Sequence, residues 1–163
     1  MEEIIFKPIG YIKSIYEDVN DMPKAPRESG DVVAEMIIDE EYLESMSSMK
    51  AGEEYMVLFY FHKSKGFKQR VPFRGDGPIT GLFSTHAPNR PNPIGVTIIK
   101  VKEIDGNVVR FYGVDMLNGT PVLDIKDILW FFTNFSIFII FFNYNYLIFF
   151  NFYYSFFQNN SFN

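Results

Sequence analysis

The stretch GVTIIKVKEIDGNVVRFYGVDML, residues 95–117, decides how this chain is read. On both sides of Asp105-Gly106-Asn107 the residues are β-branched or aromatic and alternate with polar ones, and DGN is a hairpin signal. Two antiparallel strands are therefore expected, 95–105 and 107–117. Working outward, DVVAEMIID (31–39) and ITGLFST (79–85) read as further strands, and IIFKPIGYIKSIY (4–16) alternates in the same way. Pro8 and Gly10 mark that first strand as an edge or a bulge. EYMVLFYFH (54–62) is an apolar run of the kind buried on both faces. One short helix is expected at DEEYLESM (39–46), with Asp39 as N-cap and acids in its first turn. Many short strands with little helix point to a mainly β fold, a small barrel or a sandwich, and no internal repeat stands out.

The bulk properties narrow the function classes. A chain of 163 residues is one domain's worth of core. The net charge of −5 gives no overall basic field, so a nucleic-acid partner would be held by a local patch. Cysteine is absent, which excludes disulfides, thiol nucleophiles and thiolate metal sites. With only His62 and His86 available, no metal centre is expected. The start, MEEIIFKPIG, lacks a basic n-region and an apolar h-region, so the expected location is cytoplasmic. No G-x-G-x-x-G, P-loop or G-x-S-x-G motif occurs, which disfavours a Rossmann-type nucleotide enzyme.

The composition changes at residue 128. Residues 128–163 carry no charge and hold twelve of the nineteen phenylalanines, the rest being largely Ile, Asn, Tyr, Leu and Ser. Residues 128–150 are long enough for a membrane span, which would tether the protein, although three asparagines would then lie at unfavourable depths. The preferred reading is a frameshift or lost stop codon, because codons rich in A and T specify this vocabulary. The expected organisation is a β domain at 4–127 followed by this tail.

Four polar loops punctuate the domain: MPKAPRESG (22–30), FHKSKGFKQR (61–70), STHAPNRPNPIG (84–95) and DMLNGTPVLDIKD (115–127). A barrel would bring them to one mouth, where small ligands commonly sit. In the third, Pro88, Pro91 and Pro93 fix φ and push the preceding residues into extended backbone, giving a stiff ribbon that ends at Gly95. The second is cationic, with Lys63, Lys65, Lys68 and Arg70, and Arg74 close behind; it reads as a solvated loop or as a phosphate-contacting patch. Asp124 and Lys126, two apart in LDIK, would share one side of a strand as an ion pair.

Taken in order, these loops resemble the TsaA-like (YaeB, VirR) domain family. RPNPIG at 90–95 and GVDMLNGTPVLDIK at 113–126 are similar to its two long motifs, and FKPIGYIKS, PRESG and FYFH extend the likeness over about residues 6–126. The resemblance implies a small, non-Rossmann β-barrel methyltransferase that works as a homodimer. Its cofactor would be S-adenosyl-L-methionine, and its substrate N6-threonylcarbamoyladenosine beside the anticodon of tRNA. Carried over residue by residue, Pro26, Arg27 and Glu28 would line the cofactor site, with His62 and Lys63 on a second wall, Val96 on a third, and Leu117, Asn118, Gly119 and Thr120 on a fourth. His86 stands where relatives commonly carry a cofactor-contacting arginine, and DI follows DIK where they carry PY. Asp124 and Lys126 belong to the shared motif and are the catalytic candidates, without an assigned step. Lys65, Lys68, Arg70, Arg74 and Arg90 are the tRNA-contact candidates. The alternatives are a cofactor-binding regulatory module and a methyltransferase acting on another small acceptor.

Overall fold

The structure is a computed structural model that describes residues 3–23 and 25–128. The expected tail, apart from Ile128, lies outside the described residues, as do the membrane and frameshift readings that rest on it. Among the described residues there are eight strands: β1 (Gly10–Lys13), β2 (Ala34–Ile38), β3 (Glu54–Tyr60), β4 (Arg70–Pro72), β5 (Ile79–Gly81), β6 (Ile94–Asp105), β7 (Val108–Tyr112) and β8 (Pro121–Asp127). Short 3-10 helices cover Pro26–Glu28, Glu40–Met46, Phe73–Gly75 and Leu82–Ser84. No helix among the described residues is long and apolar enough to cross a membrane.

Six strands form a closed barrel in the order β1-β2-β7-β6-β3-β8, and β8 pairs back onto β1. Its longest hairpin is the quoted stretch. Asp105 pairs with Val108 across a two-residue turn in which Gly106 takes φ +58°. Along β6, Thr97, Ile99 and Val101 point inward and are buried while Val96, Ile98 and Lys100 are exposed, the period-two pattern of a sheet with one dry face. Ile12, Met36, Ile38, Val57, Ile99, Val109, Phe111 and Val122 fill the interior. Each such side chain contributes about 1.5–3 kcal/mol of burial free energy.

Closure explains several departures from the sequence expectation. Strand β3 is not buried on both faces; Tyr55, Val57 and Phe59 point inward and their neighbours outward, because an antiparallel barrel has a single inner face. The first strand is not an edge: β1 pairs with β2 on one side and β8 on the other. Gly10 sits where these strands meet, and a Cβ there would lie 2.2 Å from the Ile37 carbonyl oxygen. The regular part of 4–16 is only Gly10–Lys13. Residues 121–127, grouped with the fourth polar loop although LDIK reads as strand, form β8 throughout, since their apolar side chains complete the ring. The strand expected over 107–117 stops at Tyr112, where Gly113 turns the chain with φ +86°. The expected strand at 79–85 ends at Gly81 and continues as a 3-10 turn. Residues 40–46 form a 3-10 helix, and Asp39 occupies its N-cap without making a side-chain cap bond.

On the outer wall, Lys13, Glu35, Arg110 and Glu103 are successive register partners on β1, β2, β7 and β6. They form a ladder of alternating charge, with Lys13 Nζ 3.3 Å and Arg110 Nε 3.1 Å from Glu35, and Arg110 Nη1 3.2 Å from Glu103. These bonds, Lys13 first, hold the Glu35 carboxyl below the usual carboxylate range. The wall on β3, the first half of β6 and β8 is different: Leu58 lies between Val96 and Asp124, and Met56 between Ile98 and Lys126. Strands β4 and β5 pair only with each other, as a small hairpin outside the barrel.

Candidate functional site

Strand direction alone gathers the loops. Connections 14–33, 61–93 and 113–120 all lie between strand ends at one end of the antiparallel barrel, whereas the 39–53 and Gly106-Asn107 connections lie at the other. Hydrogen bonds then tie neighbouring loops together. Lys63 Nζ donates to the Glu17 carbonyl at 2.5 Å, and Asn118 Nδ2 donates to the Glu17 carboxylate at 2.9 Å. Asn118 Oδ1 accepts from the Ser14 amide at 3.3 Å. His62 Nδ1 lies 3.4 Å from the Thr120 hydroxyl. Burial, with a smaller contribution from the Lys63 charge, lowers the His62 pKa, so the imidazole is neutral at pH 7. Leu117 and Thr120 are buried, while Gly119 is exposed with φ +75°.

The proline-rich loop is anchored from both flanks. The Ser64 hydroxyl reaches the Pro88 carbonyl at 3.0 Å and Asn89 Oδ1 at 2.8 Å, and the Phe61 amide donates to Pro93 O at 2.8 Å. Arg90 Nη1 donates to the Thr85 carbonyl at 2.9 Å and to Ala87 O at 3.5 Å, which commits this cation to bracing its own loop. His86 stands exposed between those two carbonyls. At the loop's end, Gly95 faces inward opposite Phe59, and a Cβ there would come within 2.3 Å of the Phe59 ring. The glycine makes room for that ring, and Phe61 packs edge-on against it with centroids 5.0 Å apart.

The 3-10 turn within the first connection packs on a different surface. The Val114 amide donates to the Ser29 hydroxyl at 3.2 Å and draws the 3-10 turn Pro26–Glu28 against the outer wall of β6. Pro26 and Arg27 line an open pocket of about 260 Å³ together with Glu54, Ile98, Lys100 and Tyr112. None of His62, Lys63 and Leu117–Thr120 lines it. Val96 is on the same outer face of β6 as Ile98. Asp124 and Lys126 lie on the outer face of β8, 2.7 Å apart as a half-exposed ion pair. Lys65, Lys68, Arg70 and Arg74 are exposed along and beside the β4–β5 hairpin.

Glu17, Asn89 and Thr97 were not singled out by sequence, and Asp115 stood out only as an acid near the NGTP turn. Glu17 and Asn89 each accept two hydrogen bonds across long sequence separations, which leave no local pattern. Asp115 Oδ1 and Thr97 Oγ1 are buried without hydrogen-bond partners. Burial pushes the Asp115 pKa up to about 6, while the nearby Thr97 hydroxyl and the backbone oppose this. An acid between apolar residues in VDML was the available signal. Among the described residues no cluster of three or more His, Cys, Asp or Glu could hold a metal ion.

Comparison with known proteins adds the following. Residues 11–133 match the family described as the tRNA-methyltransferase O N-terminal domain. An S-adenosyl-L-methionine-binding protein of Archaeoglobus fulgidus is 37% identical over 123 residues, covering 76% of this chain and 88% of that protein. The human tRNA (adenine(37)-N6)-methyltransferase is 35% identical over 130 residues, again 76% of this chain but 30% of the relative. The crystal structure of TrmO from Pseudomonas aeruginosa superposes with a TM-score of 0.64 at 26% identity, covering 77% of this chain and 56% of that one. The chain thus spans about half of the solved structure and under a third of the human enzyme. With the family match covering most of the barrel and the fold agreeing, this chain belongs to the tRNA-methyltransferase O N-terminal domain family.

Proposed function

We propose that the protein is an S-adenosylmethionine-dependent tRNA methyltransferase that methylates N6 of threonylcarbamoyladenosine next to the anticodon. The observation that carries this reading is the mutual bracing of loops 14–17, 61–65, 84–93 and 117–120 at one end of the barrel, with the exposed cations of 63–74 beside them. The relatives named as methyltransferases of tRNA adenine 37 support the same activity.

The donor set fits the cofactor's chemistry. In the pocket on β6, Arg27 and Lys100 suit its carboxylate, Glu54 its ammonium, and the flat flank of Pro26 and Tyr112 an adenine ring. When bound, S-adenosylmethionine supplies a methyl group on a positively charged sulfur. The chain's part is positioning: stiff loops that hold the acceptor nitrogen in line recover up to roughly 7–11 kcal/mol of barrier. His62, with its pKa lowered by burial, lies with Thr120 on the braced loops outside that pocket.

The candidates divide between the pocket on β6 and the loops around His62, and such a two-part distribution suits a site shared between two copies. The homodimer belongs to this proposal. Its contact would use the apolar outer wall, where Val96 is 55% and Ile98 41% exposed. The Archaeoglobus relative, named for binding alone, favours a second reading as a binding module. Calorimetry with S-adenosylmethionine, followed by methyl transfer to tRNA, separates the two: binding with transfer supports the enzyme, and binding without transfer the module. The absence of binding overturns both.

A further inference from the structure

Residues 61–90 carry six of the chain's fifteen Lys and Arg but one of its twenty acids, so a strongly cationic patch sits on an acidic protein. The same segment exposes aromatic rings. Phe83 is 81% exposed, Phe67 51% and Phe73 40%. The hairpin orders them. Arg70 pairs with Gly81 and Pro72 with Ile79 on one exposed face, while Val71 and Thr80 occupy the other. The Leu82 amide donates to Gln69 O at 2.9 Å, placing Phe67 and Phe83 near the hairpin's base, and the Phe73 amide donates to Pro78 O at 3.0 Å, placing Phe73 at its tip. At about 3.3 Å per residue the two ends are roughly 13 Å apart, the reach of several stacked bases. A cation attends each end: Arg74, with its backbone at φ +55°, lies 5.4 Å from the Phe73 ring centre, and Arg90 lies 5.8 Å from that of Phe83. Gly81, on the exposed face, has no atom within 4 Å of where a Cβ would stand, so the surface between the two ends is open.

Exposed phenylalanines are a solubility liability unless something covers them, and cations interleaved with rings match the chemistry of an unpaired nucleic-acid strand: phosphates for the cations, base faces for the rings. Duplex RNA does not suit, because its base faces are already stacked on one another. We propose that the β4–β5 hairpin is a stacking arm on which Phe67, Phe73 and Phe83 hold unpaired bases of the RNA substrate while Lys68, Arg70 and Arg74 follow its backbone. The inference rests on the tRNA reading above and adds to it a site and a preference for unpaired nucleotides.

The test is fluorescence anisotropy of the full chain with a labelled anticodon stem-loop RNA and a blunt RNA duplex, across a salt series. Each of Phe67→Leu, Phe73→Leu and Phe83→Leu should weaken stem-loop binding about tenfold, since leucine keeps the apolar surface and removes the stacking face. Their salt dependence and duplex binding should be unchanged, because no phosphate contact is lost. Phe83→Trp should bind the stem-loop as well as the wild type or better. Wild-type affinity in all three leucine variants, or equal losses on stem-loop and duplex, would overturn the stacking arm and leave the tRNA reading standing. If the wild type binds neither RNA, both fall. A leucine variant that changes sedimentation along with binding assigns the rings to a contact between copies and overturns the proposal.

Discussion

A single inward acid shows how burial becomes a measurable property. The ordinary Asp pKa of 3.8 rises to about 6 for Asp115, chiefly through burial. The folded chain therefore holds a proton that the unfolded chain has released between those values. Stability is fully present below pH 4 and is lost as pH climbs through 6, by about 3 kcal/mol for a shift of roughly two units. Comparing D115N with wild type in urea at pH 4 and pH 8, the variant should gain about 3 kcal/mol relative to wild type on going to pH 8. A difference that stays constant with pH would contradict the raised pKa. At Gly95 the constraint is steric: Gly95→Ala brings a Cβ into the Phe59 ring and should cost roughly 1–3 kcal/mol in urea denaturation. Phe59→Leu in the Gly95→Ala background should recover part of that loss, whereas additive losses would show that the ring is not what the methyl meets.

The loop at 84–93 behaves as an element although it has little regular structure. Three prolines stiffen it, Arg90 braces it from within, and Ser64 with Asn89 joins it to the neighbouring loop. That rigidity leaves His86 exposed, at a position the family resemblance marks as a cofactor contact. In calorimetry with S-adenosylmethionine, His86→Ala should weaken binding several-fold and His86→Arg should keep or strengthen it, because a guanidinium offers a bidentate grip on a carboxylate. Equal affinities for all three would leave the loop as scaffold alone. At this scale the sequence was informative where the pattern is local. The alternation on both sides of Asp105-Gly106-Asn107 announced β6 and β7. The extent of β8 was hidden: LDIK reads as strand, but PVLDIKD mixes polar and apolar residues, and its full length is set by partners more than sixty residues away. The edge reading of β1 failed for the same reason: Pro8 and Gly10 are edge signals, but ring closure supplies the second neighbour.

Across the whole molecule, an antiparallel ring puts alternate connections at the same end, so 14–33, 61–93 and 113–120, far apart in sequence, share one end of the barrel. The sequence motifs named the loops, whereas the ties among Glu17, Lys63 and Asn118 and the separate pocket at Pro26 and Arg27 arise from strand stagger and long-range bonds that no local pattern encodes. The outer wall carries the Lys13–Glu35–Arg110–Glu103 ladder on β1, β2, β7 and β6, and exposes the apolar Val96 and Ile98 on the first half of β6. The central claim is transfer of a methyl group to tRNA. It is tested most directly by incubating the full chain with S-adenosylmethionine and tRNA carrying N6-threonylcarbamoyladenosine, digesting the RNA and weighing its nucleosides. The account predicts that the modified adenosine beside the anticodon gains one methyl mass with the wild type and far less with Arg27→Ala; an unchanged nucleoside mass with a chain that demonstrably binds the cofactor would contradict it.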